Sequence, residues 1–213
     1  MSWRPEIEEI HRRRRMAEAC GGAEAVAKHH AAGKLTVRER IAALLDPGTF
    51  REVGKLAGRA SYDRSGELSS FEPAPYVMGI GKIDGRPVAV GGEDYTIRAG
   101  TGFGSDRRKG GQGGFIEDLA YEYRIPLVNL IDGTGGTVNT AKRKGYTVVP
   151  GYGLDGCERS TDLLGIAPVV SAVMGTTAGG PSMRAILAHW SIMVKGTGQI
   201  FAAGPPVDRK SVV

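Results

Sequence analysis

The stretch Leu127-Val-Asn-Leu-Ile-Asp-Gly-Thr-Gly-Gly136 decides how this chain is read. An apolar run leads straight into an acid and a glycine loop. A continuous run of this length reads as a strand buried on both faces, as in a parallel sheet. The same design returns at Val169-Val-Ser-Ala-Val-Met-Gly-Thr-Thr-Ala-Gly-Gly-Pro181. There Pro181 suits a first helical turn, which places Gly180 near the helix N-terminus. Backbone N–H groups at that end have no acceptor within the helix, and the helix dipole favours negative charge beside them. Glycine leaves such backbone open to close approach by a ligand. Two such loops on neighbouring strands could aim N–H groups at one developing oxyanion. Two tight strand-to-helix turns without chemistry fit the same residues, and both readings stay open at this point.

Outward from these strands, strand–loop–helix alternation continues, so the fold class is α/β with a largely parallel buried sheet. Pro126–Ile131 and Ala167–Val173 are its central strands. Val77–Ile83 and Pro87–Gly91 flank Asp84-Gly85, a hairpin signal. Tyr95–Arg98, Ile192–Val194 and Gln199–Ala202 read as short strands, and Phe115–Tyr123 and Met183–Ala188 as helices. Residues 60–75, 99–114 and 175–180 read as loops, and 138–165 stays ambiguous. Towards the N-terminus, residues 5–31 read as helix interrupted at Gly21 and Gly22. Thr36-Val-Arg-Glu39 is a capping box, with Ile41, Leu44 and Leu45 on one face behind it. Asp46-Pro47-Gly48 ends that helix in a turn. Residues 1–50 are therefore a helical lead-in to a domain over 51–207.

Composition bounds the function. Glycine supplies 33 of 213 residues, about twice its usual share, with no collagen-like period. Hydrophobic residues make up 41% and charged residues 24%, as in a globular chain. No apolar run approaches a membrane span, so no membrane partner is expected. Two cysteines, Cys20 and Cys157, cannot form a disulfide scaffold, and a reducing, cytoplasmic setting follows. The net charge of +5 is concentrated at Arg12–Arg15. Glu6, Glu8 and Glu9 precede that run, and the pairs Glu8–Arg12 and Glu9–Arg13 would make it a solvated helix face. It lacks the aromatic interleaving of single-strand binders, so no nucleic-acid partner is expected.

Familiar catalytic signatures are absent: no Walker loop, no His-Glu-x-x-His, no Cys-x-x-Cys, no Gly-x-Ser-x-Gly. Gly100, Gly102 and Gly104 lack the spacing and the following helix of a dinucleotide fingerprint. His11, His29 and His30 fall in the charged lead-in and read as surface residues. Adjacent His29 and His30 face different sides of a helix, so no metal site is expected. His189, beside Trp190, reads as a packing or capping residue. With no side-chain nucleophile or base in view, backbone N–H groups of the glycine loops are the leading chemical candidates.

At this point a family can be named. Gly33-Lys-Leu-Thr-Val-Arg-Glu-Arg-Ile-Ala-Ala-Leu-Leu-Asp-Pro-Gly-Thr-Phe50 closely resembles the N-terminal signature of biotin-dependent acyl-CoA carboxyltransferase subunits, the β chains of propionyl-, methylcrotonyl- and related acyl-CoA carboxylases. Further matches follow in order over residues 5–207. Gly81–Val88 resembles the family's hairpin, and Glu93–Ile97 with Gly100 its D-[FY]-T-V-x-G-G stretch. Asp132–Gly136 is similar to D-S-G-G-A-R, and Gly175–Pro181 to G-P-x-A-G-G-A. Met193–Phe201 and Gly204-Pro205 match the strand and turn beyond. The sequence departs at Thr137, which follows Gly136 in place of alanine, at Pro181, and in the basic, glycine-rich loop 100–114.

The resemblance implies a crotonase-like spiral α/β domain, the first of two in such chains. It implies carboxyl transfer from N1-carboxybiotin, held on a partner carrier protein, to the α-carbon of an acyl-CoA. Carried over by position, Gly179 and Gly180 would form an oxyanion hole, while Gly135, Gly136 and Thr137 would line the acyl-CoA pocket. Arg107, Arg108 and Lys109 are candidates for the CoA phosphates, against the reading of a solvated basic loop. Expected partners are acyl-CoA, a biotin carboxylase with its biotin carrier, and further copies in a homo-oligomer of the full-length form. Residues 208–213 break from the family pattern and read as an artefactual tail. The resemblance also implies a biotin pocket between the first domain of one subunit and the second domain of another, so that this segment alone would be inactive. Two other functions remain open. A stand-alone crotonase-type hydratase, isomerase or hydrolase would need a carboxylate near the glycine pair, from Asp155, Glu158 or Asp162. A non-catalytic acyl-CoA-binding module would need none.

Overall fold

The computed structural model describes residues 2–101, 116–135 and 155–203, the side chains of 155–158 excepted. Helices α1 (Arg4–Glu18) and α2 (Ala23–Ala31) are parted at Gly22, whose φ of +91° only glycine adopts freely. Helix α3 (Val37–Leu44) begins at the expected capping box. The Glu39 N–H donates to Thr36 Oγ1 at 3.3 Å, and the Thr36 N–H donates to Glu39 Oε2 at 2.7 Å. Such a cap stabilises a helix by about 1 kcal/mol. His30 donates to the same carboxylate at 2.9 Å. That bond, with those from Thr36, holds the Glu39 carboxyl down to about 2. On α1, Arg12, Arg14 and Arg15 are exposed, while Arg13 pairs with Glu9 and lies over the Tyr62 and Phe71 rings.

The strands are β1 (Arg51–Val53), β2 (Gly58–Tyr62), β3 (Leu68–Pro73), β4 (Tyr76–Ile83) and β5 (Arg86–Glu93). After α4 (Ile116–Tyr123) come β6 (Leu127–Ile131), α5 (Asp155–Leu164), β7 (Val169–Val173) and β8 (Thr176–Ala178). The described chain ends with α6 (Gly180–Ile186), β9 (Trp190–Met193) and β10 (Gln199–Phe201). Six strands form one sheet in the order β1-β4-β5-β6-β7-β9. Pairing is antiparallel from β1 to β5 and parallel from β5 to β9, so only the second half of the sheet is parallel. The β4–β5 hairpin turns at Asp84-Gly85, both at positive φ (+49° and +76°), as the strand twist requires. The Asp46 carboxylate accepts both turn N–H groups, at 3.0 and 2.8 Å, tying the end of the lead-in to the sheet.

Three local expectations change. Residues 60–75 are not a loop but the larger part of a β2–β3 hairpin. Only Leu68, Phe71 and Pro73 on β3 are buried, so the remaining positions are polar and hide the strand period. Tyr95–Arg98 is not a strand. The Asp94 carboxylate accepts the Thr96 N–H at 3.0 Å, and the chain then turns through Arg98, Ala99 and Gly100, all at positive φ. The 175–180 loop contains β8, which pairs parallel with β10 in a separate two-stranded sheet.

Helices cover both faces of the main sheet. On one face Val37, Ile41 and Leu45 pack on Val88, Val90 and Leu130. On the other, Ile116 and Ala120 of α4 and Leu163 of α5 pack on Ala89, Leu127 and Val169. Burying each such aliphatic side chain contributes roughly 1.5–3 kcal/mol. Alternation along β5 thus puts Val88 and Val90 under α3, and Ala89, Gly91 and Glu93 on the opposite face. The parallel strands β5, β6 and β7 end side by side, which gathers Glu93, Asp132 and Gly175 at one end of the sheet. The carboxyl ends of parallel strands are where α/β folds hold ligands.

Candidate active site

The loop after β6 is anchored by its first residue. Asp132 is fully buried. Arg40 Nη2 donates to its Oδ2 at 2.8 Å, and Lys34 Nζ to its Oδ1 at 3.4 Å. His29 Nε2 lies 3.9 Å from the same carboxylate and donates to the Leu35 carbonyl at 3.2 Å. A carboxylate taken out of water needs such partners. Burial pushes His29 below the ordinary histidine range, despite the nearby Asp132 charge. His29, expected at the surface, is therefore a core residue stacked on Tyr95, their ring centroids 5.8 Å apart. His11 and His30 are exposed as expected.

The rest of this loop is close-packed. A Cβ on Gly133 would sit 2.5 Å from Glu93 Cγ. The Thr134 N–H and hydroxyl both donate to the Ala99 carbonyl, at 3.0 and 3.2 Å. Gly135 has φ +69°, and a Cβ there would lie 2.5 Å from the Ala178 oxygen. Glu93 is also fully buried, paired with Arg184 of α6.

The loop after β7 meets the first one. A Cβ on Gly175 would fall 2.0 Å from Asp132 Oδ1. The Ala178 N–H donates to the Gly133 oxygen at 3.1 Å. Gly179, at φ +65°, donates its N–H to the Ala202 oxygen at 3.2 Å. Gly180 opens α6, where a first-turn N–H has no acceptor in the helix. It has none elsewhere among the described residues either. Gly180 is exposed, and a Cβ there would meet nothing within 4 Å. Pro181 removes the next N–H, and Ser182 Oγ donates to the Phe201 oxygen at 2.6 Å.

The structure thus brings Gly135, Gly179 and Gly180 together. The Gly179–Ala202 bond leaves one of the expected pair of donors without an acceptor among the described residues, that of Gly180. Gly136, Thr137, Arg107, Arg108 and Lys109 lie outside the described residues, as do residues 208–213 and the side chains of Asp155 and Glu158. Asp162 has a 60% exposed side chain and sits 4.0 Å from Arg159, not in the buried cluster. His189 donates through Nε2 to the Leu164 oxygen at 3.0 Å and accepts the Val169 N–H through Nδ1 at 3.1 Å, so both ring nitrogens hold backbone. Burial and the Asp94 charge push the Cys20 thiol up to about 12, which leaves it unreactive.

Sequence reasoning passed over Glu93, Asp132, Arg40 and Arg184. A signal existed: each acid ends an apolar strand with glycine beside it, in Gly91-Gly92-Glu93 and Ile131-Asp132-Gly133. Glycine next to a charge inside an apolar run marks backbone making room for a buried carboxylate.

Residues 28–213 match the family model described as the carboxyl transferase domain. The carboxyltransferase subunit of propionyl-CoA carboxylase from Haloferax mediterranei is 31% identical over 97% of this chain and 39% of its own length. The mitochondrial propionyl-CoA carboxylase beta chain of Homo sapiens is 33% identical over 94% of this chain and 36% of its own. Among solved structures, the 12S transcarboxylase, a hexamer crystallised with methylmalonyl-coenzyme A and methylmalonic acid, superposes with a TM-score of 0.72. It has 25% identity and is covered over 39% of its length by 99% of this chain. The likeness bears out the crotonase-like α/β fold. The chain spans well under half the length of these relatives.

Proposed function

Because the chain belongs to the carboxyl transferase domain family, we propose that it supplies the N-terminal half of an acyl-CoA carboxyltransferase site. The observation that carries this reading is the exposed Gly180 at the start of α6, beside Gly179 and Gly135, where a Cβ would meet nothing within 4 Å and the backbone N–H has no acceptor among the described residues. Removing the α-proton of an acyl thioester places negative charge on the thioester oxygen. A fixed N–H with the positive end of a helix behind it stabilises that charge, and in a water-poor site one such donor is worth about a hundredfold in rate or more. Glycine at 179 and 180 leaves the approach clear of side chains. Gly135, held against Ala178, lies next to Gly179.

Biotin on a carrier protein would supply the carboxyl group and a basic ureido nitrogen, and its ureido oxygen is a second oxyanion of the kind a backbone N–H accommodates. Gly136 and Thr137 with the acyl-CoA, and Arg107, Arg108 and Lys109 with the CoA phosphates, belong to this proposal. So do a biotin carboxylase partner, a homo-oligomeric full-length form and a cytoplasmic setting. No helix among the described residues is long and apolar enough to cross a membrane.

The test is carboxyl transfer between propionyl-CoA and biotin, measured on the 213-residue chain and on a longer protein in which it is extended to the full length of its relatives. Transfer by the longer protein is expected. Hydration of an enoyl-CoA without transfer would overturn the proposal in favour of a crotonase-type hydratase, and CoA binding without turnover in favour of a binding module.

A further inference from the structure

Glu93 joins the first glycine loop to the helix that follows the second. Its Oε2 accepts the N–H of Asp132, the residue that starts the first loop, at 3.3 Å. Its Oε1 accepts from the guanidinium of Arg184. Arg184 lies one turn beyond Gly180 on α6, so the two share a helix face. A pull on Arg184 therefore acts on the end of the helix that begins at Gly180. A second bond, from Ser171 Oγ to the Arg184 carbonyl at 2.8 Å, fixes the same turn to β7.

The surroundings are shaped around this carboxylate. Gly133 and Gly100 would bring a Cβ to 2.5 Å from Glu93 Cγ and 3.0 Å from Glu93 Cβ, respectively, so the backbone gives way to the acid at two points. Glu93 lies at the carboxyl end of β5, in the middle of the sheet order, and is 1% exposed. A buried pair kept for stability alone is often replaceable by neutral residues of similar volume at little loss. This one ties the first loop to α6, beside the Ala178–Gly133 hydrogen bond and the packing of Gly175 on Asp132 and of Gly135 on Ala178.

We infer that Glu93 is a positioning residue that sets the gap between the two glycine loops and, through Arg184, the placement of the α6 turn that begins at Gly180. The inference rests on the function proposed above for Gly180, but its structural half is testable without it. The experiment uses the longer protein and compares the unaltered form with Glu93→Gln and with the double variant Glu93→Gln/Arg184→Met. Amide hydrogen exchange at Thr134 and Ala178 reports the two loops. In Glu93→Gln both amides exchange about tenfold faster, while amides of β4 and α3 keep their rates. In the double variant, thermal stability returns towards that of the unaltered protein. Its kcat for carboxyl transfer stays lower by at least about tenfold, and the acyl-CoA KM stays within about twofold, because the misplaced group acts on the transition state.

Recovery of kcat along with stability in the double variant would show that the pair serves folding only and overturn the inference. Unchanged exchange at either amide in Glu93→Gln would overturn it as well. Should Glu93→Gln not fold, Arg184→Lys, which keeps the charge but not the reach, is read the same way. An unaltered protein that shows no transfer would overturn the functional reading, and hydrogen exchange alone would then decide the role of Glu93.

Discussion

The two glycine loops look alike in sequence and differ in what their glycines do. In the loop after β6, Gly133 and Gly135 are glycine because atoms of Glu93 and Ala178 fill the space of a side chain. The loop after β7 begins the same way, with Gly175 pressed onto the Asp132 carboxylate, and ends the opposite way, with Gly180 facing open space. One missing side chain makes room for packing, and the other leaves the backbone uncovered. The difference teaches that a glycine-rich loop at the end of a parallel strand is two devices in series: a buried anchor, then an open backbone.

One substitution made at both ends of the second loop breaks this comparison most sharply. Gly175→Ala drives a methyl group into the Asp132 carboxylate and pushes it from Arg40 and Lys34. Uncoupling a buried charge in this way destabilises by about 3–5 kcal/mol, a large share of the 5–15 kcal/mol that holds a typical domain together. Urea unfolding should show a large fall in midpoint, or no folded protein at all. Gly180→Ala adds the same methyl group where it meets nothing, at a φ outside the left-handed region. Its unfolding free energy should stay within about 1 kcal/mol of that of the unaltered chain, while transfer to acyl-CoA in the longer protein falls by at least about tenfold as the approach to the N–H closes. Equal stability losses in the two variants would erase the distinction between anchor and opening.

Much of this was legible in the sequence, for identifiable reasons. The β6 and β7 runs, the capping box at Thr36 and the Asp84-Gly85 turn declare themselves through local periodicity or local hydrogen bonds, which neighbouring residues fix on their own. The β2–β3 hairpin did not, because a strand pair solvated on most positions carries no apolar alternation. The Glu93–Arg184 and Asp132–Arg40 pairs did not either. Their partners lie 91 and 92 residues apart, and nothing local marks a charge that tertiary packing will bury. Of the site, the open backbone at Gly180 followed from Pro181 and helix geometry, whereas the use of the Gly179 N–H by Ala202 depends on how β10 returns beside β8.

A smaller effect is expected where the first loop leans on the turn at 98–100. Ala99 holds φ +54°, a left-handed conformation, at a position where the resembled D-[FY]-T-V-x-G-G motif carries glycine. Its carbonyl receives both donors of Thr134. A left-handed alanine costs about 1–2 kcal/mol, and glycine returns part of that as extra freedom of the unfolded chain. Ala99→Gly should therefore raise stability by about 0.5–1 kcal/mol, read as a higher urea midpoint at unchanged slope. A loss of stability would mean that the strain is offset by packing of the Ala99 methyl group, and that the anchor extends further from the loop than the Thr134 bonds.

The smallest effect is a pH dependence of the groups around the anchored loop. His29 faces Asp132, which favours its charged form, and Arg40 and Lys34, which oppose it, with burial as the largest influence and Tyr95 stacked on the ring. Its pKa in the folded chain is depressed below the ordinary histidine range, chiefly by burial. In that range the unfolded chain takes up a proton that the folded chain refuses, so stability falls as pH drops through this region and is fully present above it. Urea titrations at a series of pH values between neutrality and mild acid should show this slope in the unaltered chain, and a shallower one in His29→Gln. Glu39 contributes in a lower window. Its carboxyl, held down to about 2, loses its contribution only as pH falls from the ordinary glutamate range towards that value. The two windows are separable, so a slope that persisted unchanged near neutrality in His29→Gln would place its source outside the Asp132 cluster.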